Sequence, residues 1–144
     1  MHQLLTLLTL TLLLTACSVD DDDQPTPSTC GPAITVGGEP SIADSRPFTL
    51  VDATVTDLCL EVTIGASGCS TTDWELELFT NGGIAESSPT LTSAALLFFD
   101  GGGEVTCQAY FTETYSFDLS PYLVPGSLPT ILTLTGQDTA FFIQ

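Results

Sequence analysis

Thiol chemistry is the chemistry that this sequence offers most plainly. Of its five cysteines, Cys17 stands apart from Cys30, Cys59, Cys69 and Cys107. Cys17 follows an uncharged run of Leu and Thr and precedes four consecutive aspartates, whereas the others are spread along the rest of the chain. A thiol can be joined to a lipid or to a second thiol. The two settings predict two different fates.

The segment before Cys17 has the features of a secretory signal. Residues 4–14 contain only Leu and Thr, and as a helix they would be about 16 Å long. A bilayer core is about 30 Å thick, so this segment is too short to span it and instead fits the apolar core of a signal peptide. We therefore predict a signal peptide over 1–16, although Met1-His2-Gln3 carries no Lys or Arg.

Leu14-Thr15-Ala16-Cys17 resembles the lipobox of bacterial lipoproteins. The resemblance implies that the signal is cut before Cys17, that the Cys17 thiol carries diacylglycerol, and that the new N-terminus is acylated. Each buried methylene contributes about 0.8 kcal/mol, so several chains together form a lasting membrane anchor. An ordinary secretory signal with a chance cysteine is the alternative.

The run Asp20–Asp23 after Ser18-Val19 resembles the acidic export signal of small Bacteroidota-type surface lipoproteins of uncharacterised function. This implies the outer membrane and exposure on the cell surface; a solvated spacer is the alternative, since like charges keep a chain extended. We interpret 17–29 as the lipidated cysteine and a disordered acidic tether, and 30–144 as one domain.

The charge balance restricts the classes of partner. The chain has 18 acidic residues and one basic residue, Arg46, and its formal net charge is −17. Such a surface repels nucleic acid and anionic lipid, so we expect no nucleic-acid partner. The acidity fits either a cationic partner or a saline habitat.

Missing residue types argue against an enzyme. Removal of 1–16 takes away His2, the only histidine, and the chain has no lysine. Ser–His and Cys–His pairs, a Schiff base and a histidine metal site are then excluded, and we expect no cofactor and no metal. Carboxylates such as Glu75 and Glu77 could serve a glycosidase. They alternate with apolar residues, however, as on the solvated side of a strand.

Alternating apolar and polar residues predict a domain made of β-strands. Strands are predicted over 51–56, 58–64, 74–78, 92–100, 105–117, 131–135 and 140–143. A helix is the alternative for 92–100, where Ala94–Leu97 could turn helical, but the short length and Phe98-Phe99 favour a buried strand. Val51 is predicted to face inward, and Glu113, on the apolar side of the longest run, predicts a bulge or a bend. Seven or eight short strands predict an antiparallel β-sandwich of immunoglobulin-like type, with a small β-barrel as the alternative.

Glycine-rich and polar dipeptides predict where the chain reverses. A tight connection is predicted at Asp57-Leu58 and a longer loop over Pro121–Pro129. Glycine-containing turns are predicted at Gly65–Gly68, Asn81–Gly83, Asp100–Gly103 and Gly136–Asp138.

The four cysteines of the domain predict two disulfides in an exported protein. Cys59 and Cys69 would lie at different heights on one hairpin, a poor match to the Cα separation of about 5.5 Å that a disulfide needs. We predict Cys69–Cys107 and Cys30–Cys59. A four-cysteine metal site is the alternative, but the chain lacks a C-x-x-C pair.

Three features could bind a ligand. Arg46 suits a carboxylate or sugar acid, with a local ion pair to Asp44 as the alternative. Trp74, Tyr110 and Tyr122 could stack on sugars, and Tyr110 is the best candidate because it falls on the polar side of its strand. The loop Asp100–Glu104 could hold calcium, with a solvated turn as the alternative.

Together these features predict a lipid-anchored protein of the outer membrane, acting as a non-catalytic binding or envelope-structural module with a protein or glycan partner. A carbohydrate-binding sandwich is the alternative function. A small carboxylate-based glycosidase-type enzyme ranks last.

Overall fold

The computed structural model describes residues 30–86, 90–102 and 107–144. The signal peptide predicted over 1–16 and the tether predicted over 17–29, with Cys17, lie outside the described residues. Apart from 3₁₀ turns at Ile42–Asp44 and Pro125–Ser127, the regular structure of the described residues consists of nine strands. These are β1 Thr35–Val36, β2 Thr49–Thr56, β3 Cys59–Gly68, β4 Glu75–Thr80, β5 Ile84–Ala85, β6 Leu91–Asp100, β7 Ala109–Asp118, β8 Thr130–Leu134 and β9 Thr139–Ile143.

The strands form two open sheets. One has three strands in the order β2-β3-β7; the other has six, in the order β1-β4-β6-β8-β9 with β5 also paired to β6. This confirms the all-β sandwich. The larger sheet is mixed rather than antiparallel, because β1–β4 and β6–β8 are parallel pairs. Between β6 and β8 the chain crosses to the other sheet as β7, so β8 returns in the direction of β6.

The core lies between the inner faces of the two sheets. Alternate residues of each strand point inward, as the sequence pattern predicts. The three-stranded sheet contributes fully buried Leu60, Val62 and Ile64 from β3. The facing side chains include Leu78, Leu97, Phe99, Leu132 and Leu134, each at most 2% exposed. Full burial of one such side chain contributes about 1.5–3 kcal/mol.

Val51 does not face inward as predicted. It is 53% exposed, whereas Leu50 and Ala53 pack against the core. The pairing of β2 with β3 shifts between Leu50 and Asp52, so Val51 is an extra residue in a bulge. The inserted residue changes which alternate positions face the core, and apolar alternation alone cannot locate such an insertion.

Two of the predicted glycine turns are not reversals. Gly65 and Gly68 belong to β3, which continues to Gly68. The second segment, Asn81–Gly83, separates β4 from β5. Both of these strands pair antiparallel with β6, and their registers against β6 differ by two residues. The segment is therefore a bulge. Glycine in a strand also marks a close approach of neighbouring groups, and this is its use at Gly65, where an added Cβ atom would overlap the Tyr110 side chain.

Glu113 causes no bulge. The pairing of β7 with β3 runs without a shift through the pair Glu113–Ile64. β7 is an edge strand, so the Glu113 carboxylate reaches solvent although it lies on the core side. A charge in this position discourages edge-to-edge association. Burial raises the pKa of Tyr115 above its usual value, and the charge of Glu113 raises it further.

The cysteines lie in the two pairs that the sequence predicted. The Cα atoms of Cys30 and Cys59 are 5.5 Å apart, and those of Cys69 and Cys107 are 5.0 Å apart. Cys30–Cys59 joins the start of the domain to the start of the central strand β3. Cys69–Cys107 joins the residue after β3 to the segment that leads into β7.

The β2–β3 hairpin turns at Asp57-Leu58, as predicted. Both residues have positive φ, 49° and 61°, which is the conformation of a type I′ turn. We expect Asp57→Val to lower the free energy of unfolding by about 1–2 kcal/mol, because a β-branched side chain fits the left-handed region poorly. Chemical denaturation measures this loss. Asp57→Asn is the matched control and should unfold close to wild type; equal losses in both variants would contradict the backbone explanation.

Candidate functional site

A cavity of about 420 Å³ opens at one end of the sandwich, where β2 begins and β3 and β6 end. We call it the Arg46 cavity. Its wall contains Arg46 and Tyr110, which were separate candidates in the sequence. Phe48 and Phe99 supply aromatic rings, and the lining is completed by Pro47, Thr49, Gly65, Ala66, Ser67 and Gly101.

Backbone contacts with the end of β6 position Arg46. Its N–H donates to the carbonyl of Phe99 at 3.0 Å, and the Phe99 N–H donates to Ser45 Oγ at 3.0 Å. The Arg46 side chain runs over Gly101, where an added Cβ atom would lie 2.7 Å from Arg46 Cδ. Gly101 therefore makes room for the aliphatic stem of Arg46, which lines the cavity.

The ion pair between Arg46 and Asp44 is not formed. Among the described residues, Arg46 has no acidic partner. Asp44 belongs to the 3₁₀ turn that Ser41 caps, and its backbone N–H donates to the Ser41 carbonyl at 2.9 Å. The described surroundings thus leave the guanidinium donors available to a ligand.

Tyr110 also lines the cavity. It pairs with Ser67 on the outer face of the three-stranded sheet, and its ring lies across Gly65. A Cβ atom at Gly65 would overlap the Tyr110 hydroxyl. Gly65 is therefore buried beneath the ring, while Tyr110 itself remains 58% exposed. An exposed ring held in this way can contact a bound molecule.

The aromatic floor is fixed by edge-to-face packing. The ring centroids of Phe48 and Phe99 are 5.9 Å apart, and those of Trp74 and Phe99 are 5.2 Å apart. Such arrangements add about 0.5–1.5 kcal/mol to the energy of burial. Because Phe99 is held from both sides, the floor of the cavity belongs to the rigid core.

The three-ring sugar platform is not formed. Trp74 and Tyr122 are only 8% and 5% exposed and belong to the core. The Tyr122 hydroxyl donates to the carbonyl of Gly83 at 2.7 Å, which satisfies it inside the protein. Of the three rings, only Tyr110 is available to a ligand.

None of the described acidic candidates, Asp100, Glu75 and Glu77, lines this cavity. Asp100 accepts a hydrogen bond from the Gly102 N–H at 3.1 Å, within the turn after β6. Glu104, the other acid of the proposed calcium loop, lies outside the described residues. Glu75 and Glu77 are exposed on the outer face of β4. In the part of the chain that the structure describes, no cluster of three or more acidic, His or Cys side chains is arranged to hold a metal.

A second surface was not predicted: the outer face of the six-stranded sheet carries apolar side chains. Ile131 and Phe142 are paired across β8 and β9 and are 36% and 58% exposed. Phe79 and Phe98 meet edge to face on the same side, with centroids 6.3 Å apart. The sequence does contain an indication of this surface, the adjacent phenylalanines at 98–99 and 141–142. Adjacent residues of a strand point to opposite faces. One Phe of each pair must lie outside the core.

Over the described residues, the structure has no helix whose length and hydrophobicity suit a membrane span. Neither a protein family model nor a curated protein matches the sequence. Among solved structures, the chain is similar to a Bacteroides vulgatus protein of unknown function, DUF1344, with 16% identity and a TM-score of 0.48. The similarity covers 68% of this chain and 47% of the other, so the chain spans about half the length of that protein.

Proposed function

We propose that this protein is a lipid-anchored binding module of the outer membrane and that the Arg46 cavity is its binding site. The observation that carries the proposal is the convergence of two distant residues. Arg46, the only Lys or Arg of the chain, and the exposed ring of Tyr110 line one cavity with an aromatic floor. A concave, mostly apolar site with few polar groups is typical of small-molecule binding.

The lining of the cavity favours binding over catalysis. Its described residues include one cation, two hydroxyl side chains at Thr49 and Ser67, and the phenol of Tyr110. They include no carboxylate, imidazole or thiol that could act as a nucleophile or general base near neutral pH. The groups present can orient and hold a ligand, which is the function of a binding module.

Ligand screening with the purified protein tests the binding function. A small-molecule library is screened by thermal shift against wild type and Gly65→Ala, whose added methyl group displaces the Tyr110 ring. We expect some compounds to raise the melting temperature of wild type and to lose most of that effect in Gly65→Ala. Gly126→Ala is the matched control, because a Cβ atom there meets nothing within 4 Å. Equal shifts in all three proteins would place binding elsewhere and overturn the proposal.

A glycan ligand is the second candidate, because the exposed Tyr110 ring offers a face on which a sugar can stack. A glycan array probed with wild type and Tyr110→Ala tests it. Binding that disappears in the variant would favour the carbohydrate function over a small non-sugar ligand.

Anchoring rests on the lipobox resemblance at Cys17 and on the acidic run behind it. We expect Cys17→Ala to move the protein from the membrane fraction to the soluble fraction, because the variant has no thiol to carry diacylglycerol. Fractionation and labelling with a radioactive fatty acid measure the change. Ser18→Ala is the control and should stay membrane-bound. Retention of Cys17→Ala in the membrane would refute the anchor, and protease treatment of whole cells reports exposure at the surface.

A further inference from the structure

We infer that the Arg46 cavity selects a small ring-bearing monocarboxylate. This inference rests on the proposed binding function and names the chemical class of its ligand. Three observations support it: Arg46 has no acidic partner among the described residues, the chain as a whole is strongly acidic, and the cavity lining has few polar side chains.

The guanidinium of Arg46 defines the first requirement. Its planar array of N–H donors matches the two oxygens of a carboxylate, and such forked pairs are stronger than neutral hydrogen bonds. Arg46 is half-buried at the cavity and has no acidic partner among the described residues. A ligand carboxylate would therefore supply the counter-charge that the described protein groups do not.

The charge of the chain sets the second requirement. With a net charge of −17 and a single basic residue, the protein repels anions at long range. One guanidinium can compensate one carboxylate. A dianion or a phosphate would keep uncompensated charge in this acidic field, so the site favours a monoanion.

The rest of the lining sets the third requirement. Phe48 and Tyr110 present rings that are at least partly exposed, and Pro47 adds apolar surface; the Phe99 ring also lines the cavity but is only 2% exposed. Few side-chain hydroxyls are available to replace the water lost by a ligand with many hydroxyls, and an unpaired buried hydroxyl costs about 1–3 kcal/mol. A hexuronic acid would leave several of its hydroxyl groups without a hydrogen-bond partner. An aromatic acid would place its ring on the aromatic wall and its carboxylate on Arg46.

Substitution of either of two glycines moves a side chain of the cavity wall while the chemical identity of Arg46 and Tyr110 stays the same. An alanine at Gly101 would displace the Arg46 stem, and an alanine at Gly65 would displace the Tyr110 ring. Neither glycine has a positive φ, so alanine adds no backbone strain at either position. The two variants therefore separate the charge requirement from the ring requirement.

Isothermal titration calorimetry of the purified full chain tests the inference with four probes: benzoate, its neutral analogue benzamide, the dianion phthalate, and glucuronate. We expect benzoate to bind at least about tenfold more tightly than each of the others, with an affinity that falls as salt is added. Arg46→Gln and Gly101→Ala should bring benzoate down to the level of benzamide. Gly65→Ala should weaken benzoate and benzamide alike.

The outcomes separate this inference from the proposed function. If benzamide matches benzoate, or if phthalate or glucuronate binds more tightly, the ligand class is wrong while the binding function stands. If none of the four probes binds, the ligand class is also wrong, and the library screen decides the binding function independently. Gly126→Ala should titrate as wild type, and thermal unfolding of each variant shows that a lost affinity is not a lost fold.

Discussion

Phe99→Ala should lower the free energy of unfolding by about 3–5 kcal/mol, the range for removal of a buried aromatic ring. Phe99 is 2% exposed, and its ring packs edge to face against both Phe48 and Trp74. Truncation leaves a void between the sheets and removes both ring contacts. Equilibrium denaturation monitored by far-UV circular dichroism measures the loss.

Phe99→Leu is the control for this prediction. It keeps most of the apolar volume and should cost markedly less than Phe99→Ala. Phe98→Ala provides a second comparison, because its half-buried side chain lies on the outer face of the six-stranded sheet. If Phe98→Ala destabilised the protein as much as Phe99→Ala, the assignment of inner and outer faces to β6 would be wrong.

Removing the Cys30–Cys59 disulfide should lower the free energy of unfolding by about 2–4 kcal/mol. The bridge closes a loop across a sequence separation of 29 and so restricts the unfolded chain. In the folded state it holds the segment at the start of the domain against β7, where Ile34 donates to the Asp118 carbonyl at 2.9 Å. The variant Cys30→Ala/Cys59→Ala avoids an unpaired thiol.

Two measurements check the disulfide prediction. Denaturation gives the stability change, and hydrogen exchange should show faster exchange at Ile34 in the double variant than in wild type. The matched control is Cys69→Ala/Cys107→Ala, which should also be destabilised but should leave exchange at Ile34 close to wild type. Non-reducing peptide mapping of wild type should find no free thiol among the four cysteines. Two cysteines with titratable thiols would contradict the two-disulfide arrangement.

Local alternation was enough to predict most strands and the core. Leu76 and Leu78 of β4, and Leu132 and Leu134 of β8, are buried as their spacing predicts. Local sequence was not enough at Val51 and Glu113. The bulge at Val51 depends on the register with β3, and the exposure of Glu113 depends on β7 being at an edge. Both are properties of strand neighbours rather than of the strand itself.

The candidate site shows the same limit. Arg46 and Tyr110 were each predicted to contact a ligand, but nothing in their sequence positions brings them together. The two residues line one cavity because the end of β6, which positions Arg46, and β7, which carries Tyr110, belong to different sheets. Their side chains also need the space that glycine leaves at positions 65 and 101. Those glycines resemble turn residues in the sequence, and their role as space for two larger side chains follows only from the packing.

The Cys30–Cys59 bond also determines how the domain responds to mechanical load. A pull on the chain before Cys30 passes through this covalent bond into β3, the central strand of the three-stranded sheet, which is hydrogen-bonded on both sides. Without the bond, the same pull would act on the contacts of Pro32 and Ile34 with Asp118 and could peel the first segment away from β7. The bridge therefore moves the point of attachment from the edge of the sheet to its middle, where a whole ladder of hydrogen bonds shares the force.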